Sequence, residues 1–249
     1  MNNIVHDLSI ALDPVRFSIQ LGFNPDPWQV NVLSSVSKRL ILNCSRQSGK
    51  STTASVLALH RAIYYPDNLI LLVSPSLRQS SELFRKVGEQ ISRLKMKPKL
   101  LENNKLSCIF ENKSRIISLP SSEGTIRGYS GANLIIEDEA SRVDDGLYIA
   151  IRPMLAVSNG RLILMSTPFG KRGHFYHEWT GGDEWEKIEI NADDCPRISK
   201  DFLKSERRSL GDWWFKQEYL CEFMESVDSA FRNEDITRMF EEQVEQWEL

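Results

Sequence analysis

The chain has 249 residues, of which 41% are hydrophobic and 26% charged, which fits one large α/β domain with a packed core. Its formal net charge of −3 excludes a chain that is basic throughout, so any nucleic-acid contact would need a local basic patch. Four scattered cysteines form no C-x-x-C pair, which indicates free thiols and argues against a disulfide framework or a zinc site. No apolar run is long enough to span a membrane and no basic segment opens the chain, so we expect a cytoplasmic protein.

The first thirty residues offer one helix and one candidate base-binding position. A short helix is predicted over residues 13–20, because Pro14 suits the first turn of a helix. The stretch 22–29 is dense in turn-forming residues and ends in Trp28-Gln29. A loop with a buried tryptophan is the simpler interpretation. The alternative is a nucleobase site, in which the Gln29 amide donates to and accepts from an adenine edge.

The next segment has the pattern of a phosphate-binding loop. Residues 39–44 form a predicted buried strand, and residues 44–51 (the P-loop below) lead from it into a helix. The helix start offers unpaired N–H groups and a positive dipole end to an anion. Gly49 lets the backbone approach a phosphate, Lys50 reaches the β- and γ-phosphates, and the Ser51 hydroxyl can ligate Mg²⁺. A cysteine, Cys44, stands where the first glycine of G-x-x-x-x-G-K-S is expected, so this loop needs support from elsewhere in the chain.

Two elements and a basic cluster follow. A helix begins near Thr52, and residues 69–73 form an apolar run of strand length, as expected for a parallel strand covered on both faces. The helix over residues 78–94 carries Glu-to-Lys and Glu-to-Arg pairs at i, i+4, which is typical of a solvated helix. The basic cluster beyond it is evenly balanced between a nucleic-acid contact and a solvated surface. Its members are Arg93, Lys95, Lys97 and Lys99.

The middle of the chain predicts a hairpin and an acidic strand end. Two short alternating runs within residues 106–119 predict a β-hairpin. A Gly- and Ser-rich loop over residues 121–131 carries a single arginine, Arg127. Residues 133–139 then form an apolar strand that ends in three acids. Buried unpaired acids are costly, so a metal ion and a water molecule are the natural partners for them.

A second polar strand end lies further along the chain. A helix interrupted near Pro153 is predicted over residues 145–156, and a buried strand over residues 161–165 follows it. This strand runs directly into the Ser-Thr-Pro sequence at residues 166–168, and a flexible basic loop follows at residues 170–173.

The last quarter of the chain shifts towards helix and charge. His174 and His177 are three residues apart and could chelate a metal, but no third ligand is near, so packed or solvated histidines are favoured. Residues 185–190 alternate like an edge strand. Residues 218–249 are strongly acidic, which indicates a solvated helical tail or, alternatively, a docking surface for a partner.

Three strand ends describe one site for nucleoside triphosphate hydrolysis. The P-loop, the acids and the Ser-Thr-Pro sequence each follow a predicted strand, and ligands of open parallel sheets bind where such strand ends converge. Lys50 and the loop amides would hold the phosphates, and Ser51 with Asp138 would hold Mg²⁺. Glu139 would orient and deprotonate the attacking water, and an arginine aimed at the γ-phosphate is also expected.

Several motifs resemble those of the ATPase domain of the large subunit of tailed-phage terminases. They are Pro27-Trp28-Gln29, Ser45-Arg46-Gln47-Ser48-Gly49-Lys50-Ser51, Ile135-Ile136-Glu137-Asp138-Glu139-Ala140, Ser166-Thr167-Pro168-Phe169-Gly170 and Trp214-Phe215-Lys216-Gln217-Glu218-Tyr219-Leu220-Cys221-Glu222-Phe223. The resemblance covers roughly residues 20–230. It is specific, because such loops typically carry Ser-Arg-Gln instead of a leading glycine, and it thereby accounts for Cys44.

The resemblance implies an α/β fold of the P-loop NTPase type (RecA-like, ASCE), with a mainly parallel sheet flanked by helices. It implies an ATPase core over residues 1–192 and a small helical lid or linker subdomain with an acidic tail over residues 193–249. The implied activity is an ATP- and Mg²⁺-dependent motor that pumps double-stranded DNA into a procapsid, in the bacterial host cytoplasm. The implied partners are the portal protein, the terminase small subunit and further copies of the chain in a homo-oligomeric ring.

The resemblance also implies roles for individual residues. Glu139 would be the catalytic carboxylate, Lys50 would act on the phosphates, and the Ser-Thr pair at 166–167 would couple hydrolysis to movement. The arginine finger is either Arg46 or Arg127, and the sequence does not decide between them. The residues implied to contact nucleotide are Gln29 at the adenine, and Ser45, Arg46, Gln47, Ser48, Gly49, Lys50, Ser51, Thr52, Ser166 and Thr167.

One departure and two other functions stay open. Terminase large subunits usually continue into an RNase H-like nuclease domain, whereas this chain stops at Leu249, so we expect no DNA cleavage from it. A helicase-like or remodelling ATPase would share the core, but two-domain helicases need a second core domain. A non-catalytic, nucleotide-dependent assembly protein is disfavoured, because Lys50, Ser51, Asp138 and Glu139 are all present.

Overall fold

The computed structural model describes residues 2–121, 126 and 128–225. Its strands are β1 (Arg39–Cys44), β2 (Leu69–Ser74), β3 (Leu100–Asn103), β4 (Ser107–Phe110), β5 (Arg115–Pro120), β6 (Leu134–Asp138), β7 (Arg161–Ser166) and β8 (Glu186–Ile190). They form one sheet in the order β3-β4-β5-β2-β6-β7-β1-β8. The pairs β5-β2, β2-β6, β6-β7, β7-β1 and β1-β8 are parallel, and β4 is antiparallel to β3 and β5. The predicted mainly parallel sheet is therefore confirmed.

The strand order brings the three polar strand ends together. β7 lies between β1 and β6, with Asn43 opposite Ser166 and Asp138 opposite Met165. The end of the P-loop strand, the Ser-Thr-Pro sequence and the acids therefore sit on neighbouring strands at one edge of the sheet. Such an edge is where ligands of open α/β sheets bind.

Helices cover both faces of the sheet. They are α1 (Asn2–Leu12), α2 (Pro14–Gln20), α3 (Pro27–Ser34), α4 (Lys50–Tyr64), α5 (Leu77–Arg93), α6 (Asp145–Ile151), α7 (Gly173–Gly181) and α8 (Lys200–Tyr219). Along β1, Leu40 and Leu42 pack into one core with α4 and α5, while Ile41 packs into a second core with α6 and α7. Alternate residues of a strand point to opposite faces, so an unbroken apolar run is what a sheet covered on both sides requires.

Local sequence signals explain where several helices begin and end. The Asp13 side chain accepts hydrogen bonds from the amides of Val15 and Arg16, which caps α2 where the helix was predicted. Pro153 lies in a short 3₁₀ turn, Arg152–Leu155, directly after α6, as the predicted interruption requires. α8 is kinked at Gly211, whose φ of 77° lies in the left-handed region.

The structure adds four elements and leaves one prediction open. Helices α1, α3 and α7 and the short strand β3 were not predicted, and β3 pairs with β4 at the edge of the sheet. The loop expected over residues 22–29 is wrong at its end, because α3 begins at Pro27 and Trp28 is buried in its first turn. The acidic tail beyond residue 225 lies outside the described residues. The division into a core of 1–192 and a helical part from 193 stays a prediction. None of the helices described here is both long and apolar enough to cross a membrane.

Candidate functional site

The P-loop is fixed at its upstream end and open at its downstream end. The Ser45 amide donates to the Ile190 carbonyl at 2.7 Å, and the Arg46 amide donates to the Glu218 carbonyl at 2.9 Å. α4 begins at Lys50, where the Thr52 amide donates to the Gly49 carbonyl at 3.1 Å, while the amides of Lys50 and Ser51 have no acceptor among the described residues. These amides and the positive end of the helix dipole form an anion site.

Gly49 is the position in the loop that only glycine fits well. Its φ is +99°, and a Cβ added there would meet Arg197 Nη2 and Gln29 Nε2, both at 3.0 Å. The backbone conformation therefore strains any side chain at this position, and both neighbouring side chains would have to shift to admit one.

Lys50 and Glu139 form a mostly buried ion pair. Lys50 Nζ lies 2.9 Å from Glu139 Oε1, and the lysine is 9% exposed. Burial lowers the pKa of Lys50, but the carboxylates of Glu139 and Asp138 outweigh burial and raise the pKa above its ordinary value. Lys50 therefore stays positively charged, as a side chain that binds a phosphate group must be.

Ser51 and Asp138 supply two oxygen atoms that could hold a metal ion. Ser51 Oγ donates to Asp138 Oδ2 at 3.1 Å, while the Glu139 amide donates to Asp138 Oδ1 at 3.0 Å. Burial raises the pKa of Asp138 to about 6, and the nearby charge of Lys50 opposes this shift. Hydroxyl and carboxylate oxygens are the ligands that Mg²⁺ prefers, so this pair fits the ion.

Glu139 has an unusual backbone conformation. Its φ of 55° and ψ of 41° lie in the left-handed region, which costs a non-glycine residue roughly 1–3 kcal/mol. The conformation ends β6 and starts a 3₁₀ turn over Ala140–Arg142. It places the Glu139 side chain towards Lys50, so the strained residue is the one predicted to be the catalytic base.

The Ser-Thr pair at 166–167 is bonded to the acidic strand end. Ser166 Oγ lies 2.7 Å from Ser141 Oγ, and Ser141 Oγ donates to the Thr167 carbonyl at 2.7 Å. Ser141 belongs to the 3₁₀ turn that begins directly after Glu139. Sequence reasoning missed Ser141, although its place two residues after the predicted base was a usable signal.

Gln29 lies beside the P-loop, as its predicted role requires, but half of its amide is already bonded. Gln29 Oε1 accepts from the Asp26 amide at 2.8 Å in the cap of α3, and Gln29 Nε2 has no partner among the described residues. Nε2 is therefore free to donate to a base. Oε1 could accept from a base only while it also accepts from the Asp26 amide. Contact with adenine stays a prediction.

Arg197 braces the same region and was not anticipated. Its Nη2 donates to the Ser48 carbonyl at 2.7 Å and lies 2.8 Å from Asp26 Oδ2. The guanidinium thus joins the P-loop to the start of α3. Arg197 is far from both partners along the chain, so sequence spacing held no signal for this contact.

One predicted arginine, Arg46, lies with Arg142 around a buried acid, Glu218. Arg46 Nε lies 2.7 Å from Glu218 Oε2, and Arg142 Nη2 lies 3.6 Å from Glu218 Oε1. Arg142 also covers the Phe169 ring at 4.1 Å, and a cavity of about 330 Å³ opens beside these side chains. Arg127, the other predicted finger, lies outside the described residues. Arg142 was not singled out from the sequence.

The cysteines and His174 play packing roles. All four cysteines are free, as predicted, and the structure shows that they are buried; burial raises the pKa of Cys44 to about 12, so that thiol stays neutral. His174 is buried with Nε2 3.0 Å from Glu137 Oε1 and Nδ1 3.1 Å from Asp145 Oδ1. These contacts are those of a packed histidine, which is one of the two interpretations that the sequence favours for His174.

The two predicted basic regions lie at different places. Residues 93–99 connect α5 to β3, six strands away from β1 across the sheet, or about 29 Å at ordinary strand spacing. Lys99 there is paired with Glu111 at 2.7 Å. Arg172, in contrast, lies over Phe169 at 5.1 Å, close to the Ser-Thr-Pro sequence. The structure does not bring the two regions together.

Comparisons with known proteins point to one family. The family model described as "Terminase large subunit, T4likevirus-type, N-terminal" matches residues 41–238. The terminase large subunit of Thermus phage G20c is 26% identical over 257 residues, covering 89% of this chain and 53% of that protein. The chain spans about half the length of the curated relatives it matches.

Solved structures show the same fold. The large terminase ATPase domain of Thermus phage P74-26 matches with a TM-score of 0.76 at 24% identity, covering 86% of this chain and 100% of that one. The large terminase of another thermophilic bacteriophage, in complex with ADP, matches with a TM-score of 0.64 at 15% identity, covering 80% of this chain and 53% of that one. The predicted RecA-like P-loop fold is thereby confirmed.

Proposed function

This chain belongs to the family of terminase large subunits, through their N-terminal part, and from that premise we propose that it is the ATP-hydrolysing domain of a DNA-packaging motor. The observation that carries the proposal is the contact of Lys50 with Glu139 beside that of Ser51 with Asp138, at one edge of the sheet. A cation for the phosphates, oxygen ligands for a metal and a second carboxylate for water are what phosphoryl transfer requires. The similar terminase that was solved in complex with ADP was also solved in complex with ATP-γ-S, which supports ATP as the nucleotide.

The ion pair gives a physical reason why the base acts only when nucleotide is bound. Without nucleotide, Lys50 and Glu139 neutralise each other at 2.9 Å. The γ-phosphate brings negative charge that competes for the Lys50 ammonium. Once Lys50 turns to the phosphate, the Glu139 carboxylate is free to orient a water molecule and accept its proton.

Ser51 and Asp138 are the residues that would hold Mg²⁺. When bound, the ion neutralises charge on the phosphate oxygens. The second oxygen of Asp138 stays bonded to the Glu139 amide, which orients the metal-binding carboxylate and the base together.

The transition state also needs an arginine. In this proposal Arg46 leaves Glu218 to reach the γ-phosphate, and Arg142 then keeps the buried Glu218 carboxylate neutralised. Arg127 stays the alternative, acting on a neighbouring subunit of a homo-oligomeric ring.

Coupling to movement would run through Ser141. This hydroxyl joins the turn after Glu139 to Ser166 and the Thr167 carbonyl, so a shift of Glu139 reaches the end of β7 through two hydrogen bonds. The remaining parts of the proposal follow from family membership: double-stranded DNA as the track, and the portal protein and terminase small subunit as partners.

The test replaces Glu139 by Gln and measures phosphate release from ATP with and without duplex DNA. We expect turnover to fall by roughly 10²–10⁴-fold, because general-base catalysis is lost, while ATP-γ-S binding persists. The exposed Glu111→Gln serves as the matched control. Unchanged turnover would refute the assignment of the base, and ATP-dependent strand displacement would favour the helicase-like alternative.

A further inference from the structure

A cavity of about 660 Å³ lies at the opposite end of the sheet from the P-loop. Its walls include the starts of β6 and β7, the segment before β1 and the second half of α4. β1 separates it from the P-loop by five residue rises, or about 17 Å. Its lining includes the basic side chains Lys38, Arg61 and Arg161. The nucleotide site described above uses none of these.

Arg161 carries a charge that its neighbours only partly satisfy. Its Nη2 donates to Ser35 Oγ at 3.0 Å, and Ser35 Oγ in turn donates to Glu186 Oε2 at 2.7 Å. Its Nε is buried without a hydrogen-bond partner among the described residues. Burial lowers the pKa of Arg161 to about 10, an effect that the Arg61 charge increases and the Glu186 charge opposes.

Arg61 is held by neutral partners. Its Nε donates to Asn68 Oδ1 at 2.8 Å, and its guanidinium lies over the Tyr65 ring at 4.1 Å. The acid of the lining, Asp13, caps α2 and pairs with Arg16 at 3.4 Å, so its charge is engaged there.

The Arg61 charge therefore acts on a guanidinium that Glu186 neutralises only in part. A buried charge with too little opposite charge is destabilising, and an anion between the two guanidinium groups would remove that cost. Arginine offers several N–H donors in a planar fork, which matches the oxygens of a phosphate group. The cavity is larger than one phosphate needs, so it can take a diphosphate or a stretch of phosphodiester.

We propose that Arg61 and Arg161 form a second anion site, which binds phosphate groups at the amino ends of β1, β6 and β7. The phosphate comes either from a free polyphosphate or from the backbone of DNA. The site is independent of the hydrolysis proposed for the P-loop.

The first arm of the test is calorimetric titration of the nucleotide-free protein with inorganic pyrophosphate. We expect two binding events per chain, one at the P-loop and one at the cavity. Arg161→Gln and Arg61→Gln should each abolish one event, while Arg85→Gln, an exposed arginine paired with Glu82, should keep both. If the P-loop assignment fails instead, wild type shows one event and the cavity variants show none.

The second arm measures the affinity of a fluorescent DNA duplex as a function of salt. If backbone phosphate is the ligand, Arg161→Gln weakens binding several-fold and makes the slope of log affinity against log salt shallower by roughly one. Loss of a pyrophosphate binding event supports the proposal with a free polyphosphate as the ligand. Loss of DNA affinity supports it with backbone phosphate as the ligand. No change in both arms overturns it. Thermal melts check folding, and Arg61→Gln carries the test if Arg161→Gln fails to fold.

Discussion

The buried charges around Lys50 allow a quantitative prediction about the nucleotide-free protein. Lys50→Met keeps most of the apolar stem but strands the carboxylates of Asp138 and Glu139, which are 8% and, for the side chain, 22% exposed. Removing one partner of a buried ion pair costs about 3–5 kcal/mol, and the partial exposure of Glu139 favours the lower figure. For a domain of this size, about 3 kcal/mol corresponds to a fall in Tm of roughly 6–12 °C.

The Glu139→Gln change should reverse part of this loss, because it removes one of the two stranded charges. We expect the double variant to melt roughly 2–4 °C above Lys50→Met, a coupling of at least about 1 kcal/mol. Tm is measured by calorimetry at pH 8 without nucleotide. Lys99→Met, which breaks an exposed pair with Glu111, is the matched control and should leave Tm unchanged.

The pH dependence supplies an independent check. The pKa of Asp138 is about 6 in the folded protein, above its value of 3.8 in the unfolded chain. The free energy of unfolding therefore falls as pH rises from the unfolded pKa to the folded pKa of this carboxyl group. In Lys50→Met the opposing cation is gone, so the pKa of Asp138 rises further and the loss of Tm should shrink as pH falls from 8 towards about 6. A Lys50→Met protein that melts with wild type at pH 8, or whose loss of Tm does not change with pH, would refute this reading of the buried charges.

Three further predictions concern other parts of the structure. Gly49→Ala should weaken ATP-γ-S binding roughly 5- to 150-fold in equilibrium titrations, because the left-handed backbone and the neighbouring side chains strain the new Cβ by roughly 1–3 kcal/mol. Ser141→Ala should lower the ratio of DNA-stimulated to basal ATP turnover by roughly five-fold, the worth of one hydrogen bond of about 1 kcal/mol, without changing nucleotide affinity. His174→Gln should flatten the dependence of Tm on pH. Burial lowers the pKa of His174, but Glu137 and Asp145 outweigh burial and raise it, so the stabilisation is complete below pH about 6.5 and is lost as pH rises through the folded pKa.

Two of these predictions have a control variant on the same protein. Gly88→Ala lies in α5 with nothing within 4 Å of the new Cβ, and should keep full ATP-γ-S affinity. His177→Gln changes an exposed histidine on the helix that carries His174, and should leave the pH dependence of Tm intact. Tyr148 stacks on the His174 ring at 4.5 Å. Burial and the hydrogen bond that Tyr148 donates to Glu178 raise the pKa of Tyr148, so it stays neutral while His174 titrates. The argument for His174 is contradicted if Tm depends on pH equally in wild type and His174→Gln. The argument for Gly49 fails if Gly49→Ala keeps full ATP-γ-S affinity, and that for Ser141 fails if Ser141→Ala keeps full DNA stimulation.

The sheet was largely predictable because its buried strands are continuous apolar runs followed by polar residues. The order of β1, β7 and β6 could be expected only in outline, since pairing is not written in the local pattern. β3 escaped prediction because its four residues are mostly exposed, and pairing with β4 alone defines it as a strand.

The residues of the candidate site also divide into those that the sequence predicts and those that it does not. Lys50, Ser51, Asp138 and Glu139 lie in local motifs whose chemistry fixes their types and spacing, so sequence reasoning could find them. Arg197 and Glu218 were missed as partners of the P-loop, because a fold that brings residues about 150 or more positions apart into contact leaves no periodic signal.

The two anchored amides at the upstream end of the P-loop have an entropic consequence. Ser45 is held by the end of β8, and Arg46 by Glu218 in the last turn of α8, before any ligand arrives. The conformational entropy of these residues is therefore lost during folding. Ordering by nucleotide is confined to the downstream residues, at about 1–2 kcal/mol for each backbone newly fixed. A loop that is half built in advance can bind a phosphate more tightly than its few contacts alone would allow.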